Sequence, residues 1–327
     1  MKNRFLTYAS LALLPAAVFC ADALKSGARE AITLCTELLI PSLFPFFVLS
    51  GLLIRLGLPE LTARLFRRSA EKLFRLPPAG LSAFAVGIIA GYPLGAATLA
   101  ELYRSGAITR EEAERLLLFC NNTGPAFAVG VLGAGVFGST RLGLLLYTVH
   151  VITALALGIL LRAKKKTSPP SRVETVSAGA GRDAEPLSFS RALTESVFSA
   201  LRSMATVCGN VLVFSSLLAA AESLGLMQSV VSLLCRVTPL TSEGSRALLF
   251  SLLELSNAVS ALRALPLSPL SLSIAAFALG WGGACVQLQS VSVLGGISYR
   301  KCLLAKLLHG LLSASVIYIM STYLPIL

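Results

Sequence analysis

Charge is scarce in this sequence: of 327 residues only 13% are Asp, Glu, Lys or Arg, while 55% are hydrophobic and the mean hydropathy is +0.78. That composition excludes a string of soluble domains and fits a polytopic membrane protein whose first partner is the lipid bilayer. Acidic residues are fewer than basic ones, 16 against 28, and the net +12 would suit nucleic acid if it were spread over a surface. The bases are instead gathered in two loops beside apolar segments. This is positive-inside topology and makes no case for nucleic acid. Histidine is nearly absent, at two residues, and the seven cysteines are odd in number, scattered and free of CxxC spacing. Neither a disulfide framework nor a metal site is expected, and the cysteines read as small apolar filler. No nucleophile–base pair, paired carboxylate or phosphate loop is visible, so neither enzyme chemistry nor a cofactor is expected.

What is present is polar punctuation inside apolar runs. The chief case is Phe119-Cys120-Asn121-Asn122-Thr123-Gly124-Pro125. Asn and Thr favour caps and turns because their side chains bond nearby backbone. Gly124 loosens the chain, and Pro125 lacks the amide that a helix interior requires. The same residues start a helix well, with Thr123 or Gly124 as N-cap and Pro125 first inside. The spacing predicts half-helices over 110–120 and 125–137, each about 16–20 Å long and so near half a bilayer. Such a break persists where its freed backbone meets a ligand, water or protein. A binding site is the favoured reading, with a buried proline kink as the alternative.

Residues 5–21 have the length of a signal peptide but lack a small-x-small site after Phe19, so they read as an uncleaved helix. A second helix is expected over 31–54, kinked by Pro41 and Pro45. Residues 55–79 mix Arg55, Arg64, Arg67, Arg68, Lys72 and Arg75 with Leu and Phe, as an interfacial amphipathic helix does. Residues 80–103 contain Gly91-Tyr92-Pro93 and read either as one kinked span with Gly87, Gly91 and Gly95 on a packing face, or as a re-entrant hairpin. Only the hairpin puts both basic loops in the cytoplasm, and it is the expectation adopted. Thr109-Arg-Glu-Glu112 predicts a capping box for the next helix. A span over 142–161 precedes a polar linker.

The second half repeats this order. A span is expected over 200–222, led by an amphipathic 188–199, then a short apolar piece at 227–237. Residues 247–262 are too short to span comfortably and carry Glu254, Ser256 and Asn257, so they read as a second re-entrant hairpin. Residues 268–294 read as a broken helix around Gly280-Trp281-Gly282-Gly283, and 303–324 close the chain. A shift of 159 residues superimposes Gly124 on Gly283, Ser139 on Ser298, Arg141 on Arg300, Leu144 on Leu303 and His150 on His309. The expected fold is therefore an all-α polytopic membrane protein: one N-terminal helix (1–24), a first repeat (25–162), a cytoplasmic linker (163–190) and an inverted second repeat (191–327). Inverted repeats with broken helices at the midplane are a secondary-transporter architecture.

Four stretches resemble a known family: Pro41-Ser-Leu-Phe-Pro-Phe-Phe-Val-Leu-Ser-Gly51, Gly91-Tyr-Pro-Leu-Gly-Ala96, Glu111-Glu-Ala-Glu-Arg-Leu-Leu-Leu-Phe-Cys-Asn-Asn-Thr-Gly-Pro125 and Gly282-Gly-Ala-Cys-Val-Gln-Leu-Gln289. They are similar to the sporulation integral membrane proteins with Gate (nucleoside-recognition) domains, over nearly the whole chain after the first helix. The chain departs from the pattern at Ala258, where a glycine is expected. The resemblance implies a plan like that of concentrative nucleoside transporters, with substrate between two hairpin tips and two broken helices. For the sporulation branch it implies export of dipicolinate from the mother cell, across the mother-cell-derived outer forespore membrane. It leaves a homo-oligomer open.

For that dianion, the half-helix starts at Thr123–Pro125 and at Gly282-Gly283 would each offer backbone amides and a positive dipole end to a carboxylate. Asn121, Asn122 and Thr123 are expected to donate further bonds from beside Gly124. Tyr92 or Trp281 is expected to stack on the ring, and Gln287 and Gln289 to face the cavity. Each amide has a plainer reading as a helix–helix bond. Glu254, with Asn257, is the candidate for a coupling proton or cation; alternatives are a pair with Arg263 or a place nearer the surface. His150 and His309 read as packed residues ahead of a proton relay. Transport of a nucleoside or inorganic ion, and a non-transporting scaffold of the spore envelope, stand as rivals.

Overall fold

A computed structural model describes residues 17–162 and 188–324, together with residues 11 and 15. Most of the helix expected over 5–21 and nearly all of the linker lie outside the described residues. Within them the chain is all-helical, and five helices are long and apolar enough to cross a membrane.

The first, α1, spans Ala21–Arg55 without interruption. It starts ten residues before the expected helix, so the boundary drawn between residues 24 and 25 falls inside it. A wide turn at Cys35–Leu39 sits just ahead of Pro41, with the Ile40 amide bonded to the Cys35 carbonyl. Pro41 brings no N–H, and the looser turn accommodates the gap in the ladder. The basic stretch after α1 forms α2 (Leu58–Leu65) and shorter helical pieces up to Phe74, in place of one continuous amphipathic helix.

Two helices, α3 (Pro78–Ala90) and α4 (Leu94–Arg104), then form an antiparallel hairpin turning at Gly91-Tyr92-Pro93. Gly87 and Gly95 face each other across it, and both press on the Cys120 carbonyl. The glycines are thus a packing face, but inside a hairpin instead of along one kinked span. Next come α5 (Arg110–Cys120) and α6 (Ala126–Val136), the halves of the first broken helix, and α7 (Thr140–Leu160). The expected capping box opens α5, the Thr109 hydroxyl accepting from the Glu112 amide and the Glu112 carboxylate from the Thr109 amide.

In the second half α8 (Phe189–Ser223) is a single 35-residue helix, which joins the expected amphipathic lead to the span. After α9 (Leu226–Val237) a second antiparallel hairpin is made by α10 (Ser242–Leu253) and α11 (Leu255–Arg263). It is longer than the expected 247–262 and turns at Glu254. The second broken helix is α12 (Pro269–Trp281) and α13 (Gly283–Val293), and α14 (Arg300–Tyr323) ends the described chain.

Helices α1 and α8 run antiparallel, Gly27 packed on Ser215 and Gly51 on Ser196. At 35 residues each is about 52 Å long, well beyond the roughly 30 Å hydrocarbon core. The broken helix Pro269–Val293 is the most enclosed span, 72% buried against 22–50% for the other four. The apolar outer faces of α1, α8 and α14, among them Ile32, Val213, Leu217, Leu304 and Leu311, are left exposed, as lipid contact requires.

Candidate functional site

Each hairpin tip closes on the helix break of its own half. In the first half, α5 stops at Cys120 because Asn121 takes an extended backbone, and its partner α6 begins after Gly124 and Pro125. Gly91 at the first tip lies so close to Gly124 that an added Cβ would stand 2.8 Å from the Gly124 nitrogen. In the second half, α12 and α13 are separated by Gly282, and it and Gly283, the first residue of α13, are both at positive φ, a region that disfavours any other residue. A Cβ on Gly283 would stand 3.2 Å from the Leu255 nitrogen, at the second tip. The halves are joined across the centre, where the Thr123 hydroxyl donates to the Leu279 carbonyl at 2.9 Å and the Tyr92 hydroxyl to the same oxygen at 3.1 Å. That carbonyl is freed by the break after Trp281, so both bonds satisfy a group the helix cannot.

His150 and His309 meet where α7 crosses α14, ring centres 4.5 Å apart. Both are buried. His150 Nε2 accepts the Thr123 amide at 3.2 Å, while His309 Nε2 contacts the His150 carbonyl and the Thr153 hydroxyl. The pair braces the first break from behind.

Between the two tips and the two breaks, with α1 and α8 as further walls, lies a cavity of about 80 Å³ with an open mouth. Of the residues singled out in the sequence, Tyr92, Thr123, Gly124, Glu254 and Gln289 line it. The others do not. Asn121 donates to the Ser290 hydroxyl at 2.7 Å, and Asn122 turns its amide nitrogen onto the Phe119 carbonyl at 2.6 Å, tying off the end of α5. Trp281 donates from its indole to the Leu252 carbonyl at 3.0 Å, and so packs on the second hairpin. Gln287 is taken up by the Trp281 carbonyl and the Tyr299 hydroxyl. Gly283 lies behind the cavity against the second tip. The remaining wall is mostly apolar, Phe47 and Phe127 among it, with Asn210 and Ser256 as its polar side chains.

Glu254 is buried, at 3% exposure, in the turn of the second hairpin. Its carboxylate caps α11, accepting from the Asn257 amide at 2.7 Å and the Asn257 side chain at 2.8 Å. Arg263 is not its partner, since that guanidinium donates to the Gly135 carbonyl. Asn257 also donates to the Ser215 hydroxyl at 2.8 Å, and both of these residues line a second, more polar cavity with Glu30, Glu222, Glu243 and Arg246. A carboxylate at the tip thus joins the central cavity to the second one through an amide and a hydroxyl.

One residue of the centre was not anticipated. Lys306 on α14 is completely buried, its ammonium 3.5 Å from Asn122 Oδ1 and 5.3 Å from the centre of the Tyr92 ring. The signal was an ionisable residue inside an apolar run. It follows Arg300 and Lys301 closely, and so resembles a cation reaching for the membrane surface. Among the described residues no three His, Cys, Asp or Glu side chains converge as a metal ion would need.

Comparison with known proteins agrees with this architecture. Residues 37–140, from mid α1 through the first hairpin and broken helix, match the Gate family, described as nucleoside recognition. The chain is 30% identical to the sporulation integral membrane protein YlbJ of Bacillus subtilis (strain 168) over 318 residues, 92% of this chain and 78% of the relative. No solved structure matches. An all-helical integral membrane protein with a Gate domain in its first half, aligned over nearly its whole length with that relative, this chain belongs to the sporulation integral membrane protein family.

Proposed function

We propose that this protein is a membrane transporter of a small planar anion during sporulation, and that the anion is dipicolinate, moved from the mother cell across the outer forespore membrane. The observation that carries the reading is the cavity held between two hairpin tips and two helix breaks, one of each from either half of the chain. A site built between two halves opens to alternate sides when one half rocks against the other. In this reading both hairpins are re-entrant, the halves are inverted, and Glu254 carries the coupling proton or cation. The start of α6, with Thr123 and Gly124 on the cavity wall, offers its dipole to one carboxylate. Tyr92 flanks the planar ring, and Gln289 offers an amide from the wall of the same cavity.

Deleting the gene in a sporulating host is expected to give spores poor in dipicolinate while the mother cell still makes it. Normal spore dipicolinate in a clean deletion overturns the solute assignment. A second reading, transport of a nucleoside, is favoured by the family description of the first half. It predicts that nucleosides, and not dipicolinate, compete for uptake into vesicles holding the purified protein. A non-transporting scaffold would move neither.

A further inference from the structure

Lys306 is the one fully buried lysine or arginine among the described residues, and none of their carboxylates lies within 4 Å of it. An ammonium withdrawn from water needs a counter-charge, and what surrounds this one is weak. The Asn122 oxygen is distant, at 3.5 Å, and the face of Tyr92 offers only its quadrupole at 5.3 Å. Yet both neighbours adjoin the site. Tyr92 is a wall of the central cavity, and Asn122 directly precedes Thr123, which is another. The ammonium therefore stands one side chain behind the surface that a substrate touches.

The repeat supplies a second observation. A shift of 159 residues places Tyr147 of the first half on Lys306. The Tyr147 hydroxyl donates to the Ile88 carbonyl, on the first hairpin. One half thus fills this helix position with a neutral donor to a hairpin, so packing there does not require a charge. We infer that Lys306 is the fixed positive charge that makes the central cavity prefer carboxylate-bearing planar solutes over neutral ones. The inference rests on the reading of the cavity as a substrate site, and it names the residue that sets the charge of the solute. Lys306 acts through Tyr92 and Asn122, as a specificity residue beneath the wall. A unit charge roughly 8 Å from a carboxylate, at an effective dielectric near 20, corresponds to a preference of about thirtyfold.

The test uses the full-length purified protein in detergent and in vesicles, with three aromatic probes: dipicolinate, isophthalate, and the neutral diamide of dipicolinate. Binding by the wild type is expected to favour the dianions over the diamide. In Lys306→Met that ratio should collapse towards one, with diamide binding little changed, and Lys306→Arg should restore most of it. A merely structural lysine would lower all three probes together. If Lys306→Met keeps the wild-type ratio, the inference is overturned and the transporter reading stands. If isophthalate binds in a Lys306-dependent way and dipicolinate does not, the inference stands and the dipicolinate assignment fails. A wild type that prefers the neutral diamide overturns both, and this arm decides even if the Met variant does not insert.

Discussion

A Cβ placed on Gly87 would stand 1.8 Å from the Cys120 carbonyl oxygen, and one on Gly95 2.4 Å from the same atom. Backbone cannot retreat as a flexible side chain does, so the hairpin must move away from the end of α5 if either residue gains a methyl group. Gly87→Ala is expected to cost about 1–3 kcal/mol or more, read as a lower unfolding temperature in detergent. Gly209, a helical glycine with nothing within 4 Å of its Cβ position, provides the contrast. There Gly209→Ala should be neutral or stabilise by up to about 1 kcal/mol. Equal losses at both positions would refute the close approach. Glu254 makes a different kind of case, because one carboxylate both caps α11 and faces the cavity. Glu254→Gln keeps an acceptor for the Asn257 amide, so the fold should hold while solute accumulation falls and its dependence on external pH flattens. Glu254→Leu should also lose the cap, about 1 kcal/mol, and unfold earlier. Unchanged accumulation in a well-inserted Gln variant would make Glu254 a cap and nothing more.

At the scale of the element, the breaks were legible because Asn, Gly and Pro act on their own backbone, whatever surrounds them. Pro125 and Gly124 mark the start of α6 with no tertiary contact needed, as Thr109 and Glu112 mark the start of α5. The direction in which a polar side chain points was not legible, because partners far along the chain decide it. Gln287 was expected in the cavity, but the break after Trp281 frees a carbonyl beside it, and the amide goes there. Asn121 finds Ser290 across 169 residues, a pairing with no local signal. Lys306 was missed for the same reason, since its neighbours come from the first half. The lengths of α1 and α8 were underestimated because charged residues at their ends look like termini, although a helix continues past the bilayer into water without penalty. These partners give the break a testable role. Replacing Asn121, Asn122 and Thr123 together by Leu makes the segment more apolar, so the protein should still insert. It also removes the bonds to Ser290, Phe119 and Leu279, and transport should fall to background. Normal transport at normal membrane levels would reduce the break to a packing device.

For the whole molecule, contacts between distant segments sort the loops into two ends. Arg55 pairs with Glu195, Arg115 donates to the Phe74 carbonyl and Arg162 to the Leu73 carbonyl, which gathers the ends of α1, α7 and α8 with the basic stretch. At the other end Arg263 reaches the Gly135 carbonyl, and Glu30 shares a cavity with Glu222 and Glu243. The first end is rich in arginine, so the positive-inside rule predicts that it faces the cytoplasm. The hairpin tips lie between these ends, beside the helix breaks. The proposed topology therefore has the first hairpin entering and leaving on the cytoplasmic side and the second on the opposite side, as an inverted repeat would require. In a background without native cysteines, Ser105→Cys should resist a membrane-impermeant thiol reagent added outside inverted-free intact cells. Leu224→Cys and Pro266→Cys, both exposed at the other end, should label readily. Permeabilising the cells should expose Ser105→Cys to the reagent and leave the other two unchanged. Strong labelling of Ser105→Cys from outside would mean that the first hairpin crosses the membrane. The two halves would then lose their inverted relation, and alternating access between them would lose its geometric basis.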